Sequence, residues 1–339
     1  MRQMVLYSPR RLEMTNVPRP SPMSGELLVR VETTAICGTD LHIYAGQTPV
    51  SYPRVPGHEA AGVVEQVGQG VVGFSPGDAV VLNPNLSCNQ CEMCILGQEN
   101  LCPNGRFMGR ETDGSLREHL TVPPTLALKL PSDVSFAEGA LIQPLSTVVR
   151  AERQAGIKHT ESVVVLGQGA SGLMHTRLSH LSGAYPVIAV GRSRWKLDLA
   201  QKMGADFALS AVDEDPVARV TQLTGGLGAD VVVEAVGSPE TLQQALDMVK
   251  PGGRVLQYGI SPQPLPSLDL YRLYRKETAL MFPRAMTRAD FHLATALVAS
   301  KRVDLNPLIT RKYPLEEAAT AFQFAEEERR QVLRVVIEP

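Results

Sequence analysis

The sequence predicts an α/β protein with two folded parts, one β-rich and one a doubly wound parallel sheet. Three observations predict it. The chain has 339 residues, more than one ordinary hydrophobic core organises. Residues 1–130 are rich in glycine, proline and short β-type runs. Past residue 150, short apolar strands alternate with helical segments, the texture of a parallel sheet with crossover helices.

In the first part, Leu27–Glu32, Ala60–Val67 and Ala79–Leu82 read as strands, separated by turn signals such as Ser75-Pro76-Gly77-Asp78. In the second part, Ser162–Leu166 and Pro186–Val190 are strands. Arg194–Met203 is a helix closed by Gly204, a natural C-terminal cap. Ala229–Ala235 is a strand, Pro239–Val249 a helix and Gly253–Tyr258 a strand. Beyond residue 285, Asp290–Ser300 and Pro314–Arg330 hold helices, and Val332–Ile337 is a closing strand. The chain carries no internal repeat and no low-complexity tract.

Composition narrows the function. Hydrophobic residues make up 44% and charged residues 20%, the balance of a soluble globular protein. With 33 basic and 35 acidic side chains the net charge is −2, which gives no basis for a nucleic-acid partner or an anionic membrane surface. No run reaches the roughly 18 apolar residues that span a bilayer. Met1–Arg11 is charged and lacks the apolar stretch of a secretory signal, so a cytoplasmic enzyme is expected. Four of the five cysteines are tightly clustered. In a reducing compartment such clustering points to metal rather than disulfides.

Gly167-Gln168-Gly169-Ala170-Ser171-Gly172 fits G-x-G-x-x-G and stands where the motif needs to stand, after an apolar strand and at the start of a helix. Gly167 permits the tight turn, Gly169 lets backbone approach a pyrophosphate, and Gly172 lets helix and strand pack closely. The helix N-terminus adds N–H donors and a positive dipole end. An acidic residue at the end of the second strand would bond a ribose 2′-hydroxyl. This chain reads Val190-Gly191-Arg192-Ser193-Arg194 there. Gly191 removes the carboxylate that repels a 2′-phosphate, and Arg192, Ser193 and Arg194 offer donors to one. NADP is therefore expected over NAD.

Cys88-x2-Cys91-x2-Cys94-x7-Cys102 is the strongest metal signal. Four thiolates in one loop can close a tetrahedral zinc site; an iron–sulfur cluster uses the same donors. The fifth cysteine, Cys37, stands in Cys37-Gly38-Thr39-Asp40-Leu41-His42, and His58 and Glu59 stand in Pro56-Gly57-His58-Glu59. Cysteine, histidine and carboxylate together bind zinc while leaving a position for a substrate oxygen.

Gly57-His58-Glu59-Ala60-Ala61-Gly62-Val63-Val64 with Val67-Gly68 resembles the signature of zinc-containing medium-chain alcohol dehydrogenases, as do Cys37-Gly38-Thr39-Asp40-x-His42, the four-cysteine loop and the later glycine motif. Glu138-Gly139-Ala140-Leu141-Ile142-Gln143-Pro144-Leu145-Ser146 resembles the sorbitol and polyol branch. The likeness runs over essentially the whole chain, with the motifs in family order. It implies a GroES-like catalytic domain from residues 1–148, with a structural zinc loop at 88–102. A Rossmann domain at 149–283 and a C-terminal return to the catalytic domain at 284–339 follow.

The resemblance also implies roles. Cys37, His58 and Glu59 hold a catalytic zinc, Asp40 orients His58, Thr39 touches the substrate oxygen, and His42 finishes a proton relay. Polyol dehydrogenases usually carry glutamate where this chain has Gln143. Gln143 supplies no negative ligand, though its carbonyl can contact zinc or bond a zinc-bound water. A site of Cys37, Glu59 and neutral His58 is formally neutral, which polarises a bound alcohol more strongly than a negative one.

The implied reaction is reversible oxidation of a secondary alcohol, of polyol, sugar or cyclitol type, by NADP or NAD, with two zinc ions per chain. Tyr44, Phe107, Arg284 and Arg288 are candidate pocket residues. The relatives imply a homodimer or homotetramer formed by pairing sheet edges, and Gly253–Gly259 is the apolar strand expected near such an edge. Three other readings stay open: a zinc-independent quinone-type reductase on the same fold, a non-enzymatic zinc-ribbon module, and a sugar-alcohol-binding protein without turnover. Zinc content, nucleic-acid binding and turnover discriminate them in that order.

Overall fold

The computed structural model describes residues 1–260 and 267–339. The chain divides into two compact units, Met1–Ser146 with Met286–Pro339, and Thr147–Ala285.

The first unit is built on a seven-stranded sheet. Its strands run in the order Ile309–Pro314, Arg334–Glu338, Leu27–Ile36, Glu59–Val67, Ala79–Leu82 and Ala127–Lys129. Leu27–Ile36 is the long central strand. One of its edges is shared: Leu27–Arg30 pairs with His119–Val122, and Thr34–Ile36 pairs with Val335–Ile337. The closing strand of the chain is thereby laid beside the residues that precede Cys37. Alternate side chains of the central strands fill a core with Leu27, Val29, Val31, Val64, Val80 and Leu82. Each such burial contributes roughly 1.5–3 kcal/mol.

The second unit is a six-stranded parallel sheet in the order Phe207–Ser210, Val187–Gly191, Val163–Leu166, Ala229–Glu234, Val249–Gln257, Ala279–Met281. Numbered along the chain this order is 3-2-1-4-5-6, that of a dinucleotide-binding sheet. All four residues of Val163–Leu166 are buried, as expected of a strand covered on both faces. The helices carry clear start signals. Pro239–Met248 is capped by Ser238 and begins on proline. In the first unit, Arg288–Ala299 opens on a capping box between Thr287 and Asp290.

Predicted and observed elements differ mainly in length. Leu27–Glu32 extends to Ile36, and Gly253–Tyr258 is the second half of Val249–Gln257. Pro314–Arg330 splits into a 3-10 turn at Leu315–Glu317 and a helix at Ala318–Glu327. The helices Ile142–Ala155, Pro216–Leu223 and Leu270–Lys276 and the strand Phe207–Ser210 are not among the predicted elements, although Ile142–Ala155 and Pro216–Leu223 are amphipathic. One expectation is corrected: Gly253–Gly259 is not at an edge. Val249–Gln257 pairs on both sides, and the edge belongs to Ala279–Met281. Among the described residues no helix is long and apolar enough to cross a membrane.

Candidate functional site

The strand Leu27–Ile36 ends at Cys37, which caps the short helix Gly38–Tyr44. Asp40, in the first turn of that helix, folds back so that Cys37 N–H donates to its Oδ2 at 2.9 Å. Its Oδ1 accepts from Gly57 N–H at 3.2 Å and faces His58 Nδ1 at 3.1 Å. Asp40 is buried, so this acceptor-only carboxylate fixes a proton on Nδ1 and leaves Nε2 as the ring atom that faces Cys37 and could serve as a metal ligand. Gly57 has φ +96°, and a Cβ there would lie 2.9 Å from Ser115 Oγ and 3.1 Å from Leu116 N. The chain turns into His58 where no side chain fits.

Glu59 opens the strand Glu59–Val67 and is fully buried. Among the described residues neither of its carboxylate oxygens has a hydrogen-bond partner; Arg334 Nη1 lies 3.3 Å from Oε1. Burial pushes the Glu59 carboxyl well above the usual range, and the Arg334 charge only partly opposes this. Burial also pushes the Cys37 thiol up, but the hydrogen bond to His58 and the charges of Arg334 and His58 outweigh it and bring the thiol to about 5. His58 moves the other way: burial lowers it, while the charge and hydrogen bond of Asp40 raise it well above its ordinary value. The ligand atoms of Cys37, His58 and Glu59 all lie within 4.8 Å of one another. A soft thiolate, an oriented imidazole and a buried carboxylate with unfilled acceptor sites fit a zinc ion that keeps an open coordination position.

Cys88, Cys91, Cys94 and Cys102 form a second cluster within the same limit. Sulfur–sulfur separations are 3.5 Å for Cys91–Cys94 and Cys88–Cys102, 3.8 Å for Cys91–Cys102 and 4.0 Å for Cys88–Cys94. These are far too long for disulfides. They match the edge of about 3.8 Å expected when four sulfurs sit roughly 2.3 Å from a central zinc. Backbone N–H groups of Gln90 and Cys91 draw the Cys88 thiol down to about 6.

The remaining predicted residues fall into place unevenly. Thr39 and His42 lie on the half-exposed face of helix Gly38–Tyr44, whose other face buries Asp40, Ile43 and Tyr44. His42 Nδ1 is held by Gln47 Oε1 at 2.6 Å. Gln143 is buried, with its amide nitrogen 3.7 Å from Met286 Sδ. Phe107 stands beside His58, ring centroids 5.0 Å apart. Tyr44 is not placed as a pocket residue: it packs on Phe322 at 5.3 Å within an apolar core. Arg288 instead ties the cysteine loop, through Ser87, Asn89 and Glu99. Arg284 is exposed. Arg334 and Gln47 escaped the sequence reading; each is a single polar residue with no motif around it.

In the second unit, Val163–Leu166 runs into Gly167 at φ +94°, and Gly169 caps helix Ala170–Leu181. A Cβ on Gly172 would lie 1.8 Å from Gly167 O, whereas one on Gly169 would meet nothing within 4 Å. The loop is thus closed toward the sheet and open on the face offered to a phosphate. Gly191 ends its strand; a Cβ there would lie 3.2 Å from Leu197 Cδ2. Ser193 caps helix Arg194–Lys202 without a side-chain bond. Arg192 is exposed, and Arg194 is exposed and 3.3 Å from Asp198. Lys196, in the first turn of that helix, is largely buried, which lowers its ammonium to about 8. These residues fit a dinucleotide with an exposed ribose end.

The sequence profile of the alcohol dehydrogenase GroES-like domain matches residues 23–132, and that of the zinc-binding dehydrogenase matches residues 170–300. L-threonine 3-dehydrogenase of Pyrococcus furiosus is 36% identical over 89% of this chain and 88% of its own length. Sorbitol dehydrogenase of Halalkalibacterium halodurans is 30% identical over 90% of each chain. A zinc-binding dehydrogenase from Sinorhizobium meliloti 1021, solved bound to NADP, superposes with TM-score 0.93 at 31% identity, covering 100% of this chain and 99% of that one. The chain therefore belongs to the zinc-type medium-chain dehydrogenase family and is a dehydrogenase of the zinc alcohol and polyol kind.

Proposed function

We propose that the chain oxidises a secondary alcohol of polyol, sugar or cyclitol class with NADP in preference to NAD, and works as a homo-oligomer with two zinc ions per chain. The observation that carries this is the cluster of Cys37, His58 and Glu59 around an imidazole already oriented by Asp40. When bound, zinc acts as a Lewis acid on the substrate oxygen and the nicotinamide accepts a hydride.

The chain's own residues do the rest. Asp40 keeps the His58 proton on Nδ1, so Nε2 stays a ligand. Arg334 sets the charge beside Glu59. Thr39 takes the hydroxyl proton toward His42. With Gln47 Oε1 accepting from Nδ1, the Nε2 of His42 is the base that passes the proton to solvent. Arg192, Ser193 and Arg194 supply donors to the 2′-phosphate, and the NADP-bound relative supports that assignment. The strand Ala279–Met281, at its sheet's edge, is the element proposed to pair with a second copy.

L-threonine is a second substrate reading, because a threonine dehydrogenase is more similar to this chain than the sorbitol enzyme named above. The test measures kcat/KM with NADP and NAD for polyols, sugar phosphates, aliphatic alcohols and L-threonine, beside metal content. The expected outcome is zinc near two per chain and the highest kcat/KM for a polyhydroxylated alcohol. A chelator should abolish turnover before it unfolds the chain, since the four-thiolate site is closed. L-threonine as best substrate replaces the polyol reading, and turnover without zinc ends the metal assignment.

A further inference from the structure

The dinucleotide motif accounts for one wall of the crevice at the carboxyl ends of the second unit's strands. The opposite wall is the turn after Ala229–Glu234. Strand order reverses between Val163–Leu166 and Ala229–Glu234, and in open parallel sheets ligands bind at such a switch point. Leu166, Glu234 and Gln257 are register partners at the ends of three adjacent strands.

Glu234 is fully buried. Oε1 accepts from Val236 N–H at 2.8 Å, Gly237 N–H at 3.0 Å and the Thr241 hydroxyl at 2.8 Å. Oε2 accepts from Gln257 Nε2 at 2.6 Å and from Gly237 N–H at 3.1 Å. Its backbone carbonyl accepts from Tyr258 N–H at 2.9 Å and Gly259 N–H at 2.8 Å. One residue thus holds the turn Ala235–Gly237 and the end of the next strand together.

The fit is tight. A Cβ on Gly259 would lie 2.7 Å from Glu234 Oε2 and 2.2 Å from Gly237 N. Across the crevice, the space beside Gly167 is filled by Val236, whose Cγ2 lies 2.6 Å from where a Gly167 Cβ would stand. Val236 is itself 52% exposed, so the turn presents an apolar side chain beside the glycine loop. A buried carboxylate is costly unless its acceptor sites are filled. Here donors from one turn, a helix and a strand fill them, and an amide would set an N–H₂ against donors.

We propose that Glu234 is a positioning residue for the dinucleotide: its carboxylate holds the wall of the crevice facing the glycine loop, so that cofactor of either ribose type binds. The proposal rests on the reading of this unit as the dinucleotide site. Because the wall is far in sequence from Gly191 and Arg192, loss of Glu234 should weaken NADPH and NADH by the same factor.

The test uses the full-length zinc-loaded protein. Trp195 is its single tryptophan, and its fluorescence, with calorimetry beside it, reports Kd for NADPH and NADH. Glu234→Gln should raise both Kd values about tenfold, the cost of losing roughly one charge-assisted bond. Cofactor KM should rise while kcat at saturating cofactor stays within twofold and zinc content is unchanged. Unchanged Kd values in a folded variant, or a loss for NADPH alone, overturn the proposal. If Glu234→Gln does not fold, Thr241→Val removes one donor at constant shape; it should raise both Kd values two- to fourfold, and no change there overturns the proposal too. A wild-type protein that binds neither dinucleotide sinks the underlying reading and this inference with it.

Discussion

The two units build their sites from opposite materials. In the unit of Met1–Ser146 and Met286–Pro339, the candidate site is made of side chains positioned through other side chains: Asp40 holds the Cys37 backbone N–H and the His58 imidazole, and the Arg334 charge stands beside Glu59. In the unit Thr147–Ala285, the glycine loop is made of backbone and of room that a side chain would fill, as at Gly172. Removing atoms should therefore damage the first site, and adding them should damage the second.

The largest expected effect is His58→Ala. Loss of a ligand that a Lewis acid needs removes about 4 kcal/mol of catalysis, roughly a thousandfold in kcat/KM. Dinucleotide Kd should stay within twofold. A variant that loses cofactor affinity as well would break the separation of the two sites.

Next is Gly172→Ala, which adds one methyl 1.8 Å from a backbone oxygen. Overpacking should cost about 1–3 kcal/mol of stability, lowering Tm by roughly 5 °C, and raise cofactor Kd about a hundredfold as the loop shifts. Zinc content should not change. Normal affinity for NADPH would mean that the loop yields where its packing says it cannot.

Asp40→Asn sharpens the account of the first unit. The amide cannot accept from Cys37 N–H, Gly57 N–H and His58 together, so zinc affinity or turnover should fall about 10–100-fold. Metal titration and kcat/KM check it, and a change under twofold would show His58 to be held by packing alone. Arg192→Gln is the smallest effect and a removal in the second unit. It should shift the NADP-to-NAD ratio of kcat/KM by about tenfold, near 1.4 kcal/mol, through KM. It is cleaner than Gly191→Asp, whose Cβ would lie 3.2 Å from Leu197. A wild type that prefers NAD ends the cofactor assignment.

The same contrast explains what could be read from the chain. Glycine loops and cysteine spacings are contiguous, so Gly167–Gly172 and Cys88–Cys102 announce themselves. Helix Gly38–Tyr44 could also have been read correctly: Asp40, Ile43 and Tyr44 share one face at i, i+3 and i+4, which turns Tyr44 into the core and away from a pocket. Arg334 could not. It is one arginine in an apolar strand, and only the pairing of Val335–Ile337 with Thr34–Ile36 brings it near Glu59. Arg288 likewise gives no local sign that it ties the cysteine loop to helix Arg288–Ala299.

That late strand bears on biosynthesis. The ribosome delivers Cys37, His58 and Glu59 early, then the whole of Thr147–Ala285, and only afterwards Arg334. Until then Glu59 has no arginine beside it and the central strand, paired along Thr34–Ala35 with Glu59–Ala60, lacks its neighbour on the other side. A zinc ion met during synthesis would find the three donors on an unfinished sheet edge. Chains released before residue 334 should therefore be poor metal binders and exposed to edge-to-edge aggregation.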